Sequence, residues 1–135
     1  METIILDRDI NLFYITAKSF PEGIMDAHTR IHELVPSSTD RKFFGISRPE
    51  NGPIVYKAAA EELHPGEAEK LHCDKFVLKK GKYTGLTLKD YTKDKDSISK
   101  AFKEILKLPN LDPNGYCVEW YLTDKEVKCM VKVQE

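Results

Sequence analysis

The sequence predicts an α+β fold: duplicated βαββ units forming a pseudo-twofold antiparallel sheet array with two helices on one face. Three observations lead there. The order strand, helix, strand, strand can be read twice along the chain. Each copy holds one segment whose apolar residues recur at the three-and-four spacing of a buried helical stripe. A unit of about 65 residues buries too little surface to close a core alone, so side-by-side docking of the two copies is the natural solution. The 135 residues are expected to form one domain, 1–135, with pseudo-repeats at about 1–66 and 67–135.

In the first copy, Asn11 to Ala17 is rich in β-branched and aromatic types and reads as a half-buried strand. Pro21 opens a helix in which Ile24, Ala27, His28, Ile31, Leu34 and Val35 share one face. Pro36 and the Ser37, Ser38, Thr39, Asp40 cluster stop it. Lys42 to Ser47 and Ile54 to Glu62 are two further strands, parted by the turn formers Arg48 to Pro53.

The second copy follows a loop around His64, Pro65 and Gly66. Lys75 to Lys80 and Tyr83 to Tyr91 read as one strand that Gly81 and Gly85 bend or bulge. Asp94 and Asp96 are suited to capping a helix with Ile98, Ala101, Phe102, Ile105 and Leu106 inward and Lys100, Lys103, Glu104 and Lys107 outward. After the exit loop Leu108 to Gly115, Tyr116 to Thr123 pairs with Glu126 to Val133 across Asp124 and Lys125. A cleft along the pseudo-axis, on the face away from the helices, is the expected place for a ligand.

Composition narrows the function classes. With 21 basic and 22 acidic residues the formal charge is -1, which disfavours nucleic-acid binding through bulk charge. Apolar runs such as Ile4 to Leu6 and Leu12 to Ala17 fall far short of the roughly 20 residues a membrane span needs. The start Met1, Glu2, Thr3 lacks the basic and long apolar regions of an export signal, so a cytoplasmic setting is expected. Cys73, Cys117 and Cys129 are odd in number and widely spaced, and read as reduced thiols rather than a disulfide framework or a zinc site. His28 and His32 stand four apart on a helix, but their order is not that of a zinc metalloprotease; they read as a packed and a surface histidine, and neither a metal nor a cofactor is expected. His64, Glu67, Glu69 and His72 read as a solvated surface, and the lysines from Lys79 to Lys82 as a wet face.

The segment Cys117 to Leu122 carries the chemistry. Alternate strand residues point to opposite faces, so Val118, Trp120 and Leu122 share one side and Glu119 and Tyr121 the other. Val118 and Leu122 suit packing beneath the helices, whereas an acid beside an aromatic suits a groove that is apolar but not dry. Strand twist leaves Trp120 open as either core or groove wall. A carboxylate in a semi-enclosed site is costly to keep charged: either its proton affinity rises or a cation compensates it. Rings that a ligand cation could meet are Tyr14, Phe44, Tyr56, Phe76, Tyr83, Trp120 and Tyr121, at about 0.5 to 2 kcal/mol per cation–π contact; about half of them are expected to be ordinary core.

Phe44-Gly45-Ile46, Gly52-Pro53-Ile54-Val55-Tyr56, Leu78-Lys79-Lys80-Gly81-Lys82-Tyr83 and, above all, Val118-Glu119-Trp120-Tyr121-Leu122 resemble the GyrI-like small-molecule-binding domain, in order and over nearly the whole chain. The resemblance implies a duplicated βαββ fold used as the effector-binding part of AraC-type and MerR-type transcription regulators, or standing alone. It also implies that Glu119 and Tyr121, matching the family's Glu-x-Tyr segment, lie in the ligand pocket. No helix-turn-helix segment flanks the matching stretch, so direct DNA binding is not expected. The leading expectation is a stand-alone binder of small cationic or aromatic organic molecules. The alternatives are a small-molecule hydrolase with Glu119 as general base beside Trp120 and Tyr121, and a protein-interaction module of the gyrase-inhibitor kind.

Overall fold

The computed structural model describes residues 1–35 and 40–134. The predicted helix stop at 36–39 lies outside them. Eight strands and three helices follow in the order β1 (Glu2–Leu6), β2 (Ile10–Thr16), α1 (Ile24–Leu34), β3 (Phe43–Pro49), β4 (Ile54–Glu61), α2 (Glu67–Lys70), β5 (Asp74–Leu78), β6 (Gly81–Leu88), α3 (Ser97–Ile105), β7 (Cys117–Tyr121) and β8 (Val127–Lys132), with a 3-10 turn at Tyr91–Lys93 before α3. The strands form one antiparallel sheet in the order β1-β6-β8-β7-β3-β4-β2-β5, curled into a half-barrel.

The curl follows from the connections. β1 pairs with β6, yet three residues lead from it to β2 near the opposite edge; β5 pairs with β2, yet two residues lead from it to β6. Links of that length reach only about 3.5 Å per residue, so the two edges are drawn toward each other. Residues 75–91, expected from the sequence to be one bent strand, are divided in the structure. They are two strands, β5 at one edge of the sheet and β6 next to the other, because the chain turns at 79–80 and Gly81 instead of bulging.

Curling gives the sheet two chemically different faces. The concave face is filled by Ile4, Leu6, Leu12, Phe44, Ile46, Ala59, Leu78, Tyr83, Val118 and Met130, so every one of the eight strands contributes to it. On the convex face, α1 and Ala68 of α2 cover Phe13, Phe43, Tyr56, Ala58 and Ala60, and α3 covers Val127, Cys129 and Val131 through Ala101, Phe102 and Ile105. α1 packs on β2 and β4, and α3 on β6 and β8, so the central pair β3/β7 runs between the two helices.

The helices differ in detail from expectation. α1 starts at Ile24, after a turn in which Gly23 N–H donates to the Ser19 carbonyl and Ile24 N–H to the Pro21 carbonyl. Asp96 stands at the N-cap of α3 without a side-chain cap bond; the Asp94 carboxylate instead accepts the Asp96 N–H and pairs with Lys100 at 2.8 Å. Leu106 falls beyond the buried stripe and is exposed. α2 was read as a solvated loop. It forms because Arg41 clamps Glu67 with two hydrogen bonds of 3.0 and 2.9 Å, and the guanidinium holds that carboxyl down to about 2.

Gly85 sits where β6 crosses β8, and a Cβ there would stand 1.9 Å from the Cys129 carbonyl oxygen, a backbone atom that cannot step aside. Gly85→Ala is therefore expected to lower the unfolding free energy by about 2 to 4 kcal/mol in urea titrations. A change within about 0.5 kcal/mol would contradict that packing.

Candidate functional site

Glu119 points to the convex face, at the strip between α1 and α3, and is 7% exposed. Its neighbours are set by register: Gly45 lies opposite on β3, and Tyr56 reaches in from β4. The missing side chain at Gly45 makes this possible, since a Cβ there would stand 2.0 Å from the Tyr56 hydroxyl oxygen and 2.8 Å from Glu119 Oε1. Tyr56 O–H donates to Glu119 Oε1 at 2.8 Å, and Tyr121 O–H donates to the same oxygen.

The proton count fixes the next partner. With Glu119 ionised, Tyr56 gives its one proton to Oε1, so its oxygen accepts from His28 Nε2, 2.7 Å away on α1. His28 is thereby the Nε2–H tautomer. Its ring meets Tyr56 and Tyr121 edge-on at 5.6 and 5.2 Å, Tyr91 meets Tyr121 at 5.7 Å, and Phe20, 41% exposed, lies 6.2 Å from Tyr56.

Among the described residues, no donor reaches Glu119 Oε2 and no lysine or arginine compensates the carboxyl. Every fully enclosed side-chain nitrogen or oxygen among them has a partner, so Oε2 is the carboxyl atom that keeps a path to solvent. Burial raises the Glu119 carboxyl above its ordinary value of 4.5, against the opposing pull of the two tyrosyl hydroxyls. Burial and the Glu119 charge push both tyrosines up. Burial, then Glu119, lifts the Cys117 thiol to about 11, the reverse of what a nucleophilic thiolate needs.

The sequence-predicted residues divide between the two faces. Glu119, Tyr121 and Tyr56 come together. Trp120 and Phe44, 5.8 Å apart, lie on the concave side, where Phe44 and Tyr83 are fully core and the Tyr83 hydroxyl donates to the Lys79 carbonyl. Tyr14 and Phe76 also pack on that side, beside Tyr116 and the buried Lys57 ammonium, which stands 5.3 Å from the Tyr14 ring. The pairing of Val118 with Trp120 and of Glu119 with Tyr121 is as expected, but the faces are exchanged: the concave side takes the apolar set because it is the core. Leu122, past the end of β7, is 39% exposed. His28, expected from the sequence to be a packed histidine, belongs to the site. Its place on the apolar stripe of α1 was the available signal, and only the β4 neighbour turns that place into a site position.

Among the described residues, no helix is long and apolar enough to cross a membrane, and no group of three or more His, Cys, Asp or Glu side chains is placed to hold a metal ion. His32 stacks on Phe43 at 4.2 Å instead. Two surface concavities, of about 620 and 340 Å³, are lined by Lys82, Asn110, Val133 and Gln134 and by residues around His64, respectively; neither includes the Glu119 cluster, and neither gathers comparable chemistry.

No protein-family model and no curated protein sequence matches this chain. Solved structures do. An integron cassette protein from the mobile metagenome of Vibrio cholerae superposes with a TM-score of 0.71 at 11% identity, covering 98% of this chain and 95% of that one. A hydrolase from Listeria innocua gives 0.56 at 10% identity, covering 98% and 90%. At such identities the likeness establishes an α+β fold, and the hydrolase activity belongs to that protein.

Burial, with a smaller contribution from His32, depresses His28 from 6.5 to about 4. The folded state therefore binds its proton more weakly than the unfolded chain. Stability from neutral His28 is complete above pH 6.5 and is lost as pH falls toward 4. At about 1.4 kcal/mol per tenfold change in proton affinity, the loss is roughly 2 to 3 kcal/mol. Urea midpoints measured from pH 7 to 4 are expected to fall for the wild type and to fall by visibly less for His28→Asn. Parallel curves would contradict a buried neutral His28.

Proposed function

We propose that this protein binds small, cationic or aromatic organic molecules at Glu119, as a domain of the GyrI-like effector-binding kind, serving sequestration or transcription-linked sensing in the cytoplasm. One observation carries the reading: a buried carboxyl has one oxygen saturated by tyrosyl hydroxyls, the other open toward solvent, and no basic side chain to balance it. A cation delivered to Oε2 removes the cost of holding that charge away from water. The half-buried Tyr91, Tyr121 and His28 rings and the exposed Phe20 supply faces for its aromatic body.

Binding is favoured over hydrolysis by the arrangement of the strand. Trp120 turns to the concave face, so Glu119, Trp120 and Tyr121 do not surround one reacting centre. Calorimetric titration of a cationic aromatic dye and an uncharged analogue tests the role of the charge. Glu119→Gln is expected to weaken the cation by more than about tenfold, about 1.4 kcal/mol, and to leave the neutral compound nearly unchanged. Equal weakening of both would reject the assignment.

A further inference from the structure

We infer that the Glu119 site selects aromatic cations that carry N–H donors, protonated amines or amidinium groups, over quaternary ammonium ions of the same size. The inference rests on the binding reading above and adds to it the class of cation. It follows from counting protons around the carboxyl. Tyr121 gives its hydroxyl proton to Oε1, and Tyr56 does the same. His28 gives its Nε2 proton to Tyr56 and has no second one to offer as a neutral ring. Cys117, also on this face, holds only a weak S–H donor. The Tyr56, Tyr121 and His28 donors are committed, and none of the described donors, the nearby Tyr91 hydroxyl included, makes a hydrogen bond to Oε2.

A bound cation thus meets an acceptor with empty lone-pair positions. A quaternary ammonium brings charge and covers Oε2 with methyl groups, which strips its water and returns no hydrogen bond. A primary ammonium or an amidinium brings the same charge and a charge-assisted N–H···O bond. The ring walls accept either body alike, so they do not discriminate. Selection arises at one oxygen atom.

The test is calorimetry on the full chain with 2-naphthylmethylammonium, its N,N,N-trimethyl counterpart and 2-naphthylmethanol. Wild type is expected to bind the primary ammonium at least about tenfold more tightly than the trimethyl ion, the penalty of leaving a desolvated acceptor unpaired. Glu119→Gln should bring the two within about threefold. Tyr121→Phe takes one donor from Oε1 and leaves the carboxylate shorter of partners, so the ratio should widen; a narrowed ratio counts against the proposal. Should Tyr121→Phe fail to fold, the wild-type ratio and Glu119→Gln still decide. Equal affinity of both cations for wild type, each above the alcohol, overturns the donor selectivity and leaves the binding reading standing. If neither cation binds more tightly than the alcohol, both fall together.

Discussion

Two tyrosyl hydroxyls on one oxygen of a buried carboxyl are the constraint around which the centre of this sheet is arranged. They come from β4 and β7, and they meet only because β3, which lies between those strands, presents Gly45 at that height. A larger residue at Gly45 would strike Tyr56, and Tyr56 is also the link to α1 through His28. The carboxyl therefore ties together β7, β4 and, through Tyr56, α1, while its own ionisation is opposed by the burial that the tie creates. A protein selected for stability alone would gain by filling this place with an apolar side chain of similar volume. Keeping an acid here is a cost that a ligand can offset.

The curl of the sheet explains why the site lies where it does. Each edge strand is joined by a short link to the strand next to the opposite edge, and this draws the concave face shut over a core to which all eight strands contribute. The helices cover the flanks of the convex face, and the central strands are left between them, so a polar pair at the middle of β7 finds a place that is enclosed but not sealed.

Much of this was legible in the sequence, and the limits are physical. Period-two alternation on β7 separated Glu119 and Tyr121 from Val118 and Trp120, and helical spacing found α3 and its buried Ala101, Phe102 and Ile105. Alternation says which residues share a face, not which face meets the helices. That depends on the curl, and the curl depends on β1 and β5 exchanging edges, a pairing between residues some 80 positions apart that leaves no local trace. α2 leaves little trace because four residues are too few to show a helical stripe, and a clamp from Arg41 holds it in place. The rings divided similarly: Tyr56 belongs with Glu119, while Tyr14, Phe44, Phe76, Tyr83 and Trp120, indistinguishable from it by type, fall on the concave side.

The ionisation of one carboxyl governs this site, and carbon NMR on the protein labelled at the glutamate side-chain carboxyls reads it directly. The Glu119 resonance is identified as the one missing from Glu119→Gln, and its chemical shift is followed through a pH titration. Burial without a basic partner places its midpoint above 4.5, so that between 4.5 and that midpoint the unfolded chain is ionised while the folded one is not, and stability declines as pH rises. A saturating aromatic ammonium ion should move the midpoint down, because it favours the charged form. A midpoint at or below 4.5, unmoved by the cation, would contradict the account.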